Sequence, residues 1–259
     1  MTHFTLLAVV LFIYLHLWFL ISVIKKNLGL IDIAWGLSFV VITWTVFLYT
    51  GVMTIASISI LSFVTLWGLR LTYYLFLRNW SKPEDYRYVN MRKKWGKIPY
   101  LQAYFKVFYL QILLAFVISL PLQSVFYVKE GREWFHYLVL GLGIILFIIG
   151  FVFESVSDAQ LKRFKSNPGN KGKIMDKGLW AYTRHPNYFG DFMIWISYFV
   201  IMFYSFDLNY VFGIIGTLIM GYLLRFVSGV PLLEKRYKDN ELYEVYKKYT
   251  PIFFPKLKK

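Results

Sequence analysis

Glu154, Asp158 and Lys162 stand four residues apart and Lys165 follows three later, so in a helix two carboxylates and then two cations fall on one face. Carboxylates near a helix exit accept hydrogen bonds from ribose hydroxyls or an amide, and lysines suit phosphates. An i,i+4 ion-pair ladder where a helix leaves a membrane explains the same spacing equally well. A second run reads Lys177-Gly178-Leu179-Trp180-Ala181-Tyr182-Thr183-Arg184-His185-Pro186-Asn187-Tyr188-Phe189-Gly190-Asp191. Pro186 suits a first helical turn, whose free N–H groups, reinforced by Arg184, make a site for phosphate or carboxylate. The structural alternative is an arginine snorkelling to headgroups beside a capped helix start. Asn187 and Asp191, again four apart, share a face just inside the apolar stretch and can both meet a buried ligand. Asp32 with Trp35, and Arg70 with Tyr73 and Tyr74, belong to consecutive apolar stretches, a placement that allows a buried Asp32–Arg70 pair, structural or functional. Ionisable residues are costly in lipid and are therefore site candidates, which adds His16, Arg225 and Glu234.

Other chemistries are excluded. The four histidines, His3, His16, His136 and His185, are scattered and build no multi-histidine metal site, so no metal is expected. With no cysteine there is no disulfide framework, thiolate zinc, iron–sulfur cluster or thiol nucleophile. Neither G-x-G-x-x-G nor G-x-x-x-x-G-K-[ST] occurs, so a nucleotide must sit among helices.

The elements that must position these residues are membrane spans. Of 259 residues, 58% are apolar, 21% aromatic and only 17% charged, and the mean hydropathy is +0.51, which excludes disorder and points to lipid as solvent. A crossing needs about 20 apolar residues; Phe4 to Ile24, Phe105 to Val128 and Trp134 to Phe153 each provide one. Leu30 to Leu77 divides at Tyr49-Thr50-Gly51, and Pro186 to Val227 at Asp207-Leu208-Asn209, which predicts an all-α bundle of seven spans forming a single integral membrane domain over residues 1–259. The net charge of +15 would suggest nucleic acid in a soluble protein. Here 24 of the 29 cations lie in alternate loops and the tail, against Lys129 and Arg132 on the other side. By the positive-inside rule the N-terminus is outside and the C-terminus cytoplasmic, and the partners are membrane lipids, not nucleic acid. Residues 1–24 carry no basic n-region and no small-residue cleavage site, and read as a retained anchor. Asn167-Pro168-Gly169-Asn170 is a turn. In the tail, Leu242, Val245, Tyr246 and Tyr249 recur at helical spacing, as in a helix lying on a membrane surface and ended by Pro251 and Pro255.

The run from Gly178 to Asp191, preceded by Ser155-Val156-Ser157-Asp158, resembles the steroid 5-alpha reductase superfamily. Asp32-Ile33-Ala34-Trp35-Gly36, Leu66-Trp67-Gly68-Leu69-Arg70-Leu71, Glu84-Asp85-Tyr86-Arg87-Tyr88 and Gly229-Val230-Pro231-Leu232-Leu233-Glu234 are similar to its DUF1295 branch. The resemblance covers nearly the whole chain, with the reductase-like part in about residues 105–259. R-H-P-x-Y is shared with isoprenylcysteine carboxyl methyltransferases and related S-adenosylmethionine-dependent membrane enzymes. The resemblance implies NADPH on the cytoplasmic side and a lipophilic enone entering from the bilayer. Asp158 and Asn187 match cofactor-binding positions, Lys165 and Lys173 basic ones, and Asp191 an acidic one beside the nicotinamide, usually Glu. Glu154 stands where the steroid enzymes have Asn. Lys162, Tyr182, Arg184, His185, Arg225 and Glu234 complete the implied cofactor set, while Tyr73 and Asp32 stand in for the pair that polarises the substrate carbonyl. The implied activity is a membrane reductase of a C=C bond conjugated to a carbonyl. The alternatives are a methyltransferase and a non-catalytic lipid-binding protein. Such a protein belongs in a bacterial-type inner membrane or, in a eukaryote, the endoplasmic reticulum.

Overall fold

The computed structural model describes residues 2–127, 133–203 and 210–256. It is a polytopic helical bundle, and no strand occurs among the described residues. These residues fall into two compact units: residues 2–127 with 210–213, and residues 133–203 with 214–256.

In the first unit α1 (His3–Ile24), α2 (Ile31–Thr50), α3 (Ile55–Asn79), the short α4 (Tyr86–Lys94) and α5 (Pro99–Ile118) follow one another. The expected break after α2 falls at Gly51, whose φ of +64° is a left-handed conformation that glycine adopts without steric cost. Thr54 then caps α3 through its side chain. The α5 crossing starts earlier and ends earlier than its apolar run suggested. Pro99 opens it, and it stops at Ile118 because Pro121 cannot continue the hydrogen-bond ladder. Contacts between helices are close where side chains are small: a Cβ on Gly68 would lie 2.8 Å from the Gly36 carbonyl oxygen, so α2 and α3 touch backbone to backbone.

In the second unit α6 (Trp134–Ser166) runs well past Phe153, since nothing breaks it before Asn167-Pro168. It therefore carries Glu154, Asp158, Lys162 and Lys165 as helix. The turn expected there forms, with Asn167 Oδ1 accepting the Gly169 N–H. Next come α7 (Pro186–Met202), α8 (Tyr210–Tyr222), a π-helical turn Leu223–Val227, a short helix Val230–Glu234 and α9 (Glu241–Tyr249). Thr217 Oγ1 donates to the Trp195 carbonyl and fastens α8 to α7.

Among the described residues six helices are long and apolar enough to cross a membrane: His3–Ile24, Leu28–Thr50, Ile55–Asn79, Pro99–Ile118, Trp134–Ser166 and Gly213–Tyr237. The remaining expected span, α7, is described for 17 residues. Its break at Asp207-Leu208-Asn209, the cations Lys129 and Arg132, and tail residues 257–259 lie outside the described residues.

The tail corrects one expectation. Tyr246 does not join Leu242, Val245 and Tyr249 on an outer stripe; its hydroxyl donates to the Trp180 carbonyl, and Tyr243 beside it is buried. The exposed stripe is Leu242, Val245 and Tyr249 alone.

Candidate ligand-binding site

In the second unit α6 and α7 meet at two glycines. A Cβ on Gly150 would lie 2.7 Å from the Gly190 carbonyl oxygen, and one on Gly190 would lie 2.5 Å from the Glu154 backbone nitrogen. Contact that close delivers the polar residues flanking the crossing to one place. Glu154 and Asp158 on α6 and Asp191 on α7 are all buried, and Asn187 Nδ2 donates to Asp158 Oδ1 at 3.4 Å. The fully buried Tyr198 lies deeper, in electrostatic reach of Asp191 and Glu154. Asp158 accepts from Asn187 across the crossing, and Lys162, one turn on, is exposed.

Arg184 and His185, just before α7, are buried, and both reach Glu234: Arg184 Nη1 at 2.7 Å and His185 Nε2 at 3.0 Å from the same Oε1. Arg184 therefore does not snorkel. Burial lowers the His185 pKa from its usual 6.5, against a smaller opposing pull from Glu234. Its ring is neutral at pH 7. Because a carboxylate only accepts, Nε2 carries the proton and Nδ1 is left as an acceptor. The tail covers this corner. Arg184 N–H donates to the Pro251 carbonyl, Thr183 Oγ1 to that of Phe253, and Lys256 N–H to that of Tyr182. Trp180 Nε1 donates to the Ser157 carbonyl, anchoring the loop on α6. Burial raises the pKa values of Tyr243 and Tyr246, so both phenols stay protonated.

Several buried atoms here have no hydrogen-bond partner in the protein: Arg184 Nε, His185 Nδ1, Asn187 Oδ1, Ser155 Oγ and the Tyr198 hydroxyl. Buried polar groups are normally satisfied, and this concentration on one helix pair and its entry loop makes it the candidate place for a ligand. Toward the end of α6, Lys165, Lys171 and Lys173 line a cleft of about 440 Å³ with Asn170 and Tyr237.

The remaining candidates fall elsewhere. Tyr182 is exposed and contributes its carbonyl. Arg225 lies over the Phe226 ring, 4.8 Å from its centroid, and acts on His185 through its charge.

In the first unit Asp32 does not find Arg70 as its ion-pair partner. The cation is Arg87, 3.6 Å from Asp32 Oδ2, and Tyr88 donates its hydroxyl to Oδ1 at 2.8 Å. Nor is Tyr73 a buried donor, since it is 65% exposed. Burial, then the Asp32 carboxylate, pushes the Tyr88 pKa well above its usual 10. Glu84 accepts the Leu28 N–H at 2.8 Å and pairs with Arg92, holding the loop before α4 against the start of α2. Tyr88, Arg87, Tyr243 and Tyr198 were missed. For the first two the signal was present in the run Glu84 to Tyr88, which the resemblance already set apart.

A family profile described as a protein of unknown function, DUF1295, matches residues 18–250. The chain belongs to the DUF1295 family. It is similar to an uncharacterized protein of Schizosaccharomyces pombe, 26% identical over 268 residues covering 92% of this chain and 75% of that one. It also resembles a probable O-methyltransferase of Ustilaginoidea virens, 45% identical over 69 residues, which are 27% of this chain. That match spans about a quarter of the methyltransferase's own length, 24%. No solved structure matches the chain.

Proposed function

We propose that the second unit binds NADPH and that the protein reduces a C=C bond conjugated to a carbonyl in a hydrophobic substrate drawn from the bilayer. One observation carries the reading: a single face of α6 leads from the buried Glu154 and Asp158 to Lys165 in the lysine-lined cleft. Seven residues separate Asp158 from Lys165, about 10 Å along a helix axis. Acceptors for hydroxyl or amide groups thus stand at one end and cations for phosphate at the other, an order that suits a phosphorylated dinucleotide. The unpartnered atoms on Arg184, His185, Asn187 and Ser155 fit the same group.

Bound NADPH would supply a hydride. Lys165 and Lys173 would hold phosphate, Asp158 and Asn187 a sugar or amide, and Asp191 would fix orientation.

A methyltransferase is the second reading. It is favoured by the methyltransferase-named relative and by the buried carboxylates Glu154, Asp158 and Asp191, which suit a cationic sulfonium or ammonium. S-adenosylmethionine carries no phosphate, so the lysine cleft discriminates. Titrating the purified protein in detergent with each nucleotide, the Lys165→Ala/Lys173→Ala variant is expected to lose about tenfold or more in NADPH affinity, at roughly 1.5 kcal/mol or more for a charge-assisted contact. Any S-adenosylmethionine binding would be unchanged. Failure to bind NADPH, with transfer of a labelled methyl group from S-adenosylmethionine, would replace the reductase by the methyltransferase. Binding of neither nucleotide would leave the lipid-binding alternative.

A further inference from the structure

The geometry points to an interaction surface on the second unit: the outer face of α9 docks on the anionic lipid surface of the protein's own bilayer, and that contact holds the tail over the Arg184 corner. The two faces of α9 do different work. On the inner face Tyr243 is buried and Tyr246 donates its hydroxyl to the Trp180 carbonyl. Just beyond the helix, Thr250 and Phe253 are buried. There the chain closes on the corner, its Pro251 carbonyl taking the Arg184 N–H at 2.9 Å and its Phe253 carbonyl the Thr183 hydroxyl at 2.9 Å. On the outer face Leu242, Val245 and Tyr249 form an exposed apolar stripe, Tyr249 being 79% exposed.

Position and charge choose the occupant. The span Gly213–Tyr237 ends four residues before α9 begins at Glu241. Residues 238–240 reach about 10 Å at full stretch. They are not stretched: Asn240 N–H donates to the Tyr237 carbonyl, and the Tyr237 and Tyr243 rings stack at 4.5 Å. The stripe is therefore held beside the end of a crossing helix, where headgroups lie. From Lys235 to Lys259 the sequence carries eight Lys or Arg against Asp239, Glu241 and Glu244. Lys247 is engaged by Glu244 at 2.7 Å, whereas Lys235, Lys238 and Lys248 are exposed. An apolar stripe among cations suits acyl chains beneath negative headgroups, and such binding strengthens with lipid charge. A second copy of the chain would bring the same positive charge and be repelled. Because both faces belong to one short helix, lipid on the outer face favours the closed position of the inner one. This coupling does not rest on which ligand the corner takes.

The chain has no cysteine, so Val245→Cys gives one attachment point for an environment-sensitive dye on the full-length protein. The labelled protein is placed, one chain per disc, in nanodiscs of phosphatidylcholine with and without phosphatidylglycerol. With phosphatidylglycerol the dye is expected to shift to the blue and to be quenched by spin-labelled lipid, and high salt should reverse much of this. Lys235→Gln, Lys238→Gln and Lys248→Gln should each lower the docked-to-free ratio up to about fivefold. Leu242→Ser/Tyr249→Ser, at exposed positions, should abolish docking with an unchanged melting temperature in detergent. Amide hydrogen exchange of the peptide holding Thr183, Arg184 and His185 reads the corner. It should slow with phosphatidylglycerol in wild type and not in Leu242→Ser/Tyr249→Ser. Equal emission in both membranes would overturn the proposal: shifted in both, the stripe takes lipid of any charge; unshifted in both, it belongs to a soluble partner. A shift only in discs that hold two chains would overturn it too, assigning the stripe to a second copy. Exchange at the corner that ignores phosphatidylglycerol would overturn the coupling. None of these readings involves a nucleotide, so they stand apart from the proposed cofactor.

Discussion

Alanine at Gly190 is expected to separate α6 from α7 and dismantle the candidate site, while the same substitution at Gly141 on α6 is expected to do no harm. The added Cβ at Gly190 would lie 2.5 Å from the Glu154 backbone nitrogen, 2.6 Å from the Gly150 carbonyl oxygen and 3.0 Å from the Glu154 Cα. All three are backbone atoms and cannot turn aside. Reaching ordinary contact at 3.4 Å requires the helices to part by about 1 Å. Overpacking of that kind costs about 1–3 kcal/mol. The Asn187–Asp158 bond, already 3.4 Å long, would pass beyond hydrogen-bonding distance. A displacement of about 1 Å at a site that positions a reacting group costs on the order of a hundredfold in rate. At Gly141 nothing lies within 4 Å of the new methyl, so the gain in helix propensity, about 0.5–1 kcal/mol, is unopposed. Thermal unfolding of both variants in one detergent, followed by tryptophan fluorescence, should show opposite signs. A Gly190→Ala protein that melts at or above wild type and binds nucleotide unchanged would refute the backbone-contact argument.

Other outcomes follow from the buried groups. Because His185 has a folded-state pKa below 6.5, the unfolded chain takes up its proton first; stability is full above about pH 6.5 and falls as the pH drops below it. Melting temperatures measured from pH 8 to pH 5 should show that fall, and His185→Gln should flatten it. Arg184→Ala strands Glu234 beside a neutral imidazole and should cost about 3 kcal/mol, much of it recovered in Arg184→Ala/Glu234→Ala, as chemical unfolding of the two variants can show. Thiols placed at Lys93 and at Lys129 should label from opposite faces of the membrane, Lys93 from the cytoplasm; labelling of both from outside in intact cells would reverse the topology argued from the cations.

The spans were readable because lipid imposes a crude rule, long apolar runs ended by polar or helix-breaking residues, and Gly51 and Asn167-Pro168 obey it. The end of the α5 crossing was misplaced because its apolar composition continues past Pro121, whereas the long helix is interrupted at Ser119 and only a short helix, Leu120–Ser124, follows. At the candidate site, the four-residue spacings in Glu154–Asp158 and Asn187–Asp191 marked faces that meet at the α6–α7 crossing, since that much is fixed by helix period. Partners over long separations were another matter. Asp32 has Arg70 in the next span and Arg87 in the polar segment after it as equal candidates in sequence, and only the fold of the segment from Lys82 to Tyr88 chooses Arg87. Tyr243 and Tyr246 carry the same message. Their spacing signalled an amphipathic helix, but nothing local told the face that packs on Trp180 from the face that meets solvent or lipid.

The hydrogen bonds from the Tyr182–Arg184 segment to Pro251, Phe253 and Lys256 also set an order of assembly. Arg184 leaves the ribosome about seventy residues before the segment that covers it, and at about 5–20 residues per second that is roughly 4–14 s. Throughout that interval α6 and α7 can already dock at their glycines, yet the arginine corner has no roof. A nascent chain stalled before residue 250 should therefore hold the helix pair without the finished corner. Emergence of residues 251–256, not insertion of the span before them, would complete the site.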